Sequence, residues 1–429
     1  MKFNEVIYFY IMKIEDLYQL YLTHGLVDTD TRNIRNNTLF FALKGQNFNG
    51  NKFAEEAIAK GASYAIVDEA VYKTSKKIIL VKDVLKTFQK LANYHRNQLK
   101  VPIIALTGSN GKTTTKELIN AVLSTRYNTK ATSGNLNNHI GVPLTLLSMD
   151  KNTEVGVVEM GANHAKEIAL LSKIVNPDYG YITNFGSAHL EGFGSLEGVV
   201  KAKSELYDFL KKHHKKVFVN PNDEKQIART KDITRITFEK SIKFVEASPF
   251  VKLSYKNEKI LSNLIGDYNY SNISAAITIG NYFDVSKEDI KKAIEDYFPS
   301  NNRSQVINTV TNKIVLDAYN ANPTSMKAAI ETFNKLEANH KAIILGDMFE
   351  LGKYSSEEHQ NIVDILEKSE FNTIFLVGDN FFKTEAINAI KYKTFEDLEK
   401  HLKNNQIINS TILIKGSRGM ALERVVELC

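Results

Sequence analysis

The chain has 429 residues, 43% hydrophobic and 24% charged, the balance of a soluble globular protein and too long for one ordinary core, so two or three domains are expected. A single cysteine, Cys429, excludes a disulfide framework within the chain and fits a reducing cytoplasm. The net charge of +6 suits anionic small substrates, its lysines are too interleaved with acids for a nucleic-acid surface, and no apolar run approaches the ~20 residues of a membrane span.

The N-terminal run Val6–Met12 is apolar but short and lacks a small-residue cleavage site; Met12 reads as a natural start and residues 1–11 as an over-called one. Up to about residue 98, short strands (39–43, 64–67, 78–81) alternate with helical stretches at 53–61 and 85–98. Val101-Pro102 then marks a boundary. The apolar run to Leu106 predicts a buried strand, and a helical pattern begins at Glu117. Between them lies Thr107-Gly108-Ser109-Asn110-Gly111-Lys112-Thr113-Thr114-Thr115-Lys116. Strand, glycine turn, lysine and hydroxyl, then helix is an arrangement that holds nucleotide phosphates. Gly108 and Gly111 allow a tight turn that points N–H groups inward, Lys112 reaches terminal phosphates, and the Thr113 hydroxyl joins a magnesium shell. The first glycine of the longer G-x-x-x-x-G-K-[ST] pattern is replaced by Leu106.

Further along, Thr132–His139 is an amide-rich loop: Asn135, Asn137 and Asn138 offer donors and acceptors to a polar ligand, and an ordinary turn reads equally well. Glu159 ends an apolar strand at 155–158, where α/β sheets bind ligands; it is a magnesium ligand or a carboxylate facing solvent. His189 follows the strand at 179–183 and suits metal or phosphate, although lone histidines are more often structural. Lys201 and Lys203 sit two apart on a helix, facing different sides. The stretch near 299–302 reads as a second linker. From about 303, strands at 314–316, 342–345, 373–377 and 411–414 alternate with helices at 325–336 and 357–368, the pattern of a doubly wound α/β domain. Asp317 ends the first of these strands and could accept from ribose hydroxyls, with Tyr319, Asn320 and Asn322 bordering a base; Asn322-Pro323 is also a turn signal.

Taken in order, these segments resemble the Mur ligases of peptidoglycan synthesis over nearly the whole chain. The loop at 107–116 is similar to that family's phosphate loop, whose shorter G-x-x-G-K-T core accounts for Leu106. The resemblance implies three α/β domains: an N-terminal UDP-binding domain (1–99), a central P-loop ATPase-like parallel-sheet domain (100–302) and a C-terminal Rossmann-like doubly wound domain (303–429). It also implies ATP contacts from Gly108 to Thr114, from Asn269 and Asn272 in Gly266–Asn272, and from Arg303, Asp317, Tyr319, Asn320 and Asn322. Thr113, Glu159, His189 and a carbamylated Lys203 are implied as magnesium ligands, with Lys112, His189 and Lys203 catalytic. Tyr268 stands where the family has a histidine.

The segments 319–323 (YNANP), 345–352 (LGDMFELG) and 415–418 (KGSR) resemble the branch of the family that joins D-alanyl-D-alanine to UDP-N-acetylmuramoyl-tripeptide through an acyl phosphate. That branch implies substrate contacts from Thr31, Arg32, Lys44, Gly45 and Asn49, from the asparagines of the 132–139 loop, and from Lys415, Ser417 and Arg418. A cytoplasmic monomer whose C-terminal domain closes over ATP is expected. The competing readings are a sister ligase adding an amino acid, a folylpolyglutamate synthase-like enzyme, and a P-loop module that binds ATP without ligation.

Overall fold

The computed structural model describes residues 12–300 and 302–429. The expectation about the start of the chain lies outside these residues, as does Asn301 of the second expected linker. Contact density divides the chain into two units. One takes residues up to Ala105 with Asn128–Met160 and Ala169–Asp178; the other takes Leu106–Tyr127, Gly161–Ile168 and Tyr179–Cys429.

In the first unit, four short strands, Val27–Asp28, Leu39–Phe41, Tyr64–Val67 and Ile78–Leu80, form a parallel sheet in that order. Parallel strands need apolar cover on both faces. One cover is the cluster of Phe40, Ala54, Ala57, Ala65, Val67 and Ile78. The helix Val84–Leu99 starts where Asp83 accepts the Lys86 N–H (2.8 Å), and buries Phe88, which packs on Phe41. Near its end, Arg96 reaches the Asp178 carboxylate (2.7 Å) and the Val175 carbonyl (3.1 Å), satisfying a buried guanidinium. Thr129–Ala131 pairs in parallel with Val155–Glu159.

The second unit contains the helix Lys112–Leu123 and a parallel ladder of Tyr179–Ile182, Lys216–Val219 and Thr234–Thr237. An antiparallel meander follows, Lys243–Ala247, Phe250–Tyr255 and Glu258–Ile265. Its alternating burial at 250–255 is the two-residue period of a sheet with one covered face. Six more strands run in the order Gln305–Asn308, Lys313–Asp317, Thr411–Lys415, Lys341–Gly346, Thr373–Val377 and Ile390–Tyr392; the first pair is antiparallel, the rest parallel. Two cores cover its faces. Met326, Ile330, Phe333 and Ile362 lie in one; Leu398, Leu402, Leu422 and Val425 lie in the other. This is the expected doubly wound sheet, with two added edge strands. Among the described residues no helix is long and apolar enough to cross a membrane.

The first unit has one fully buried amide hub. Asn51 Nδ2 donates to Asn49 Oδ1 and Asp68 Oδ1 (both 3.0 Å), and its Oδ1 accepts from the Asp68 and Glu69 N–H groups (2.8 and 3.3 Å). Removing it leaves four half-buried hydrogen-bond partners unmatched, each bond worth about 0.5–1.5 kcal/mol. Asn51→Ala is therefore expected to lower unfolding stability by about 2 kcal/mol or more, read as a shift in urea midpoint with unchanged slope.

Candidate active site

The phosphate loop is shaped from behind. Gly108 has φ +150° and Gly111 φ +76°. A Cβ on Gly108 would overlap Thr183 Oγ1, and one on Gly111 would lie 2.7 Å from Asn272 Oδ1. Both glycines thus answer a backbone angle and a close approach together. The segment after the strand Tyr179–Ile182 pins the loop: Ser109 N–H donates to the Asn184 carbonyl (3.1 Å), Ser109 Oγ to the Gly186 carbonyl (2.8 Å), and Asn110 N–H to Asn184 Oδ1 (3.1 Å). Lys112 Nζ donates to the carbonyls of Gly108 (2.7 Å) and Ser109 (3.2 Å), which keeps its charge over the loop. Thr113 is buried in the first helical turn and Thr114 is half-buried.

Asn269 and Asn272 lie beneath this loop. Thr115 Oγ1 donates to Asn272 Oδ1 (3.0 Å), Asn272 Nδ2 to Asn269 Oδ1 (2.7 Å), and Asn269 Nδ2 to the Ile265 carbonyl (2.8 Å). These bonds run from the loop helix into the helix Asn269–Tyr282. Both amides are buried, so they act on the loop's shape. Tyr268 reaches Ser304 Oγ (3.1 Å), whose backbone N–H donates to Asp317 Oδ1 (3.1 Å). The tyrosine thus links the start of that helix to the strand Lys313–Asp317.

Lys203 has no exposed surface; its Nζ donates to the Ala162 carbonyl (3.3 Å) and stands 5.4 Å above the Phe193 ring. Burial, and then repulsion from Lys112, push its ammonium well below the usual lysine range. Burial therefore favours the uncharged form of this amine over the ammonium. His189, in a left-handed conformation (φ +54°), packs edge-on against the same Phe193 and hydrogen-bonds through Nδ1 to Glu350. That bond holds the Glu350 carboxyl below the usual glutamate range.

The C-terminal segments meet the loop within the same unit. Asn322 Nδ2 donates to Asn110 Oδ1 (2.7 Å), while Asn322 Oδ1 accepts the Ser325 N–H (3.0 Å) and caps the helix Pro323–Asn334. The Arg303 guanidinium lies 3.7 Å from the Tyr319 ring centre, a close cation–π stack. Asp317 and Lys415 pair with each other (2.5 Å), and Lys415 also donates to the Asn320 carbonyl (3.1 Å); Asn320 Oδ1 accepts from Ala321 N–H (2.9 Å). Lys415 is 1% exposed, so its charge sets the geometry of the 317–320 turn. Ser417 Oγ, also buried, accepts the Phe349 N–H (2.9 Å), and Arg418 pairs with Glu423 (2.7 Å).

In the first unit, Glu159 is buried at its strand end; Asn137 Nδ2 donates to its Oε1 (2.8 Å), and its N–H donates to Thr132 Oγ1 (2.9 Å). Asn138 Oδ1 accepts from Ile140 and Gly141 (3.0 and 2.9 Å), so it serves a helix start, while Asn135 is an exposed turn residue. Lys44 pairs with Asp68 (2.9 Å) and Glu69 (3.5 Å), Asn49 donates to Glu69 (3.0 Å), and Gly45 is exposed beside them. Arg32 folds back on Asp30 (2.5 Å), and the Thr31 carbonyl accepts from Lys60 (3.0 Å). The partners Asp68, Glu69, Ser304 and Glu350 went unmarked in the sequence reading. Glu350 lies inside the 345–352 signature, which was read as a label and not for its chemistry.

A chain in Bacillus subtilis (strain 168) named UDP-N-acetylmuramoyl-tripeptide–D-alanyl-D-alanine ligase is 36% identical, covering 96% of this chain and 94% of that one. The chain belongs to the Mur ligase family. Its models match here as the Mur ligase family, catalytic domain (24–107), the Mur ligase middle domain (106–280) and the Mur ligase, glutamate ligase domain (302–418). The like-named Escherichia coli (strain K12) ligase is 32% identical over 95% of this chain and 94% of its own. Among solved structures, MurF from Acinetobacter baumannii superposes with a TM-score of 0.85 at 30% identity, covering 95% of this chain and 97% of that one. A MurF ligase from Thermotoga maritima in complex with ADP gives 0.83 at 26% identity, with the same coverage. The expected three-domain Mur ligase fold is thus present.

The donors suit magnesium in kind: the Thr113 hydroxyl and, in the first unit, the Glu159 carboxylate are hard oxygen ligands. Among the described residues, no group of three or more His, Cys, Asp or Glu side chains is arranged to hold an ion.

The loop's backing makes a sharp demand. Gly108→Ala must shift Thr183 and strain the turn, at about 1–3 kcal/mol. Equilibrium titration with a fluorescent ATP analogue is expected to show affinity reduced about tenfold or more, with the far-ultraviolet spectrum unchanged.

Proposed function

We propose that the chain is an ATP-dependent ligase that joins D-alanyl-D-alanine to UDP-N-acetylmuramoyl-tripeptide, forming an amide bond in peptidoglycan precursor synthesis. The observation that carries this reading is the bond from Asn322, in the dipeptide-ligase signature at 319–323, to Asn110 of the phosphate loop. It brings the segment that distinguishes this branch to the nucleotide machinery shared by all branches. The γ-phosphoryl group passes to the tripeptide's terminal carboxylate, giving ADP and an acyl phosphate. The dipeptide amine, having lost a proton, attacks that carbonyl; the C–N bond forms and inorganic phosphate leaves.

Lys112 and the loop N–H groups offset the repulsion between two polyanions, and alignment supplies much of the remaining acceleration. Magnesium, held by Thr113, Glu159, His189 and a carbamylated Lys203, would neutralise charge on the transferring group. The uncharged form of an amine is the one that reacts with carbon dioxide, burial of Lys203 favours that form, and carbamylation would place an anion beside Lys112. The domains are 1–99 for the UDP-sugar, 100–302 for ATP and 303–429 for completing the site by hinge closure. The enzyme works as a cytoplasmic monomer.

Purified protein mixed with UDP-N-acetylmuramoyl-tripeptide, D-alanyl-D-alanine and ATP is expected to release phosphate only when all three are present. Release that ignores the dipeptide would return the chain to the class of non-ligating ATP-binding modules, and preference for single amino acids to the sister ligases. Lys203→Ala is expected to lose activity, with added short carboxylates restoring part of it; full activity of this variant would remove the carbamate role.

A further inference from the structure

Glu350 stands at the end of a loop whose position is over-determined. Asp347 accepts from the Asn380 and Phe381 N–H groups (both 2.9 Å). Met348 N–H donates to His359 Nε2 (3.0 Å), and Phe349 N–H to Ser417 Oγ (2.9 Å). His359 is fully buried and its other nitrogen contacts the Ser355 carbonyl (2.7 Å), which requires a proton on Nδ1 and leaves Nε2 as the acceptor. Three successive residues are thus tied down before the chain reaches Glu350.

Glu350 itself has φ +61°, a conformation non-glycine residues seldom adopt. Its carbonyl accepts the Glu191 N–H (3.1 Å), and its carboxylate meets His189 Nδ1. His189 is also left-handed, and Tyr354 OH reaches the Gly194 carbonyl (3.3 Å) just beyond. Two uncommon backbone conformations therefore face each other across one side-chain bond, framed by two further hydrogen bonds. A loop that merely covered the 189–194 turn would not need both.

We propose that Glu350 is a positioning residue for His189: its carboxylate accepts a hydrogen bond from Nδ1–H, fixes the ring's tautomer and rotamer, and leaves the Nε2 lone pair for the reaction site. Glu350 belongs to the C-terminal ligase segment and His189 to the middle one. Docking of the 346–354 segment is thus a condition for His189 to be set. A histidine bonded to a carboxylate through one nitrogen is the usual way a protein orients the other toward a cation or phosphate. The inference rests on the ligase reading for its kinetic consequence and not for its structural one.

Two experiments test it. Long-range proton–nitrogen NMR on histidine-labelled protein, with His189→Ala to assign the signal, is expected to show His189 protonated at Nδ1. In Glu350→Gln the tautomer is retained, because the amide oxygen still accepts; in Glu350→Ala it shifts toward Nε2–H. This readout needs no substrate, so it stands even if the ligase reading fails. In steady-state assays Glu350→Ala is expected to reduce kcat by about 10–100-fold, with Glu350→Gln recovering part of the loss. In a His189→Ala background, Glu350→Ala is expected to change kcat by no more than about twofold. An unchanged His189 tautomer in Glu350→Ala, or full additivity of the two substitutions, overturns the proposal.

Discussion

The phosphate loop depends on what is packed behind its glycines. Gly108 and Gly111 turn where they do because Thr183 and Asn272 occupy the space a side chain would take. A loop of backbone N–H groups binds phosphate well only if it is already in shape, since ordering it on binding would consume the affinity. The backing comes from the segment after the strand Tyr179–Ile182 and from the Asn269–Asn272 turn, so residues packed behind the loop set its geometry.

Charge is the second organising constraint. Lys112 and Lys203 are near enough to repel, and one of the two is fully buried. Around the buried one lie a carbonyl and an aromatic face, and burial lowers its pKa. Lys415 is buried too, but Asp317 sits against it at 2.5 Å. Two surroundings for a buried lysine thus lie within one unit, one built on a carboxylate and the other on a carbonyl and a ring.

Much of this was legible in the sequence. The strand–glycine–lysine–helix order at 103–123 announced the loop, and four C-terminal strands announced a doubly wound sheet, because apolar runs with regular spacing are local signals. The edge strands Gln305–Asn308 and Ile390–Tyr392 and the meander at 243–265 carried weaker runs and were missed. Positions of candidate residues were legible; their partners were not. Nothing local says that Lys415 will face Asp317 across 98 residues, or that Asn269 and Asn272 will support the loop from below. The glutamate that meets His189 was in plain view inside a recognised segment, but its partner lies 161 residues earlier.

Asn322 spends its two ends on different tasks. Its oxygen closes the first turn of the helix Pro323–Asn334, and its nitrogen reaches the phosphate loop. Aspartate, serine and threonine cap helices about as well. Aspartate would turn an oxygen toward the Asn110 oxygen, and the hydroxyl residues have a single polar atom to share. The position therefore suits the one good cap that is an acceptor at one end and a donor at the other, so the start of a helix is tied directly to the phosphate loop.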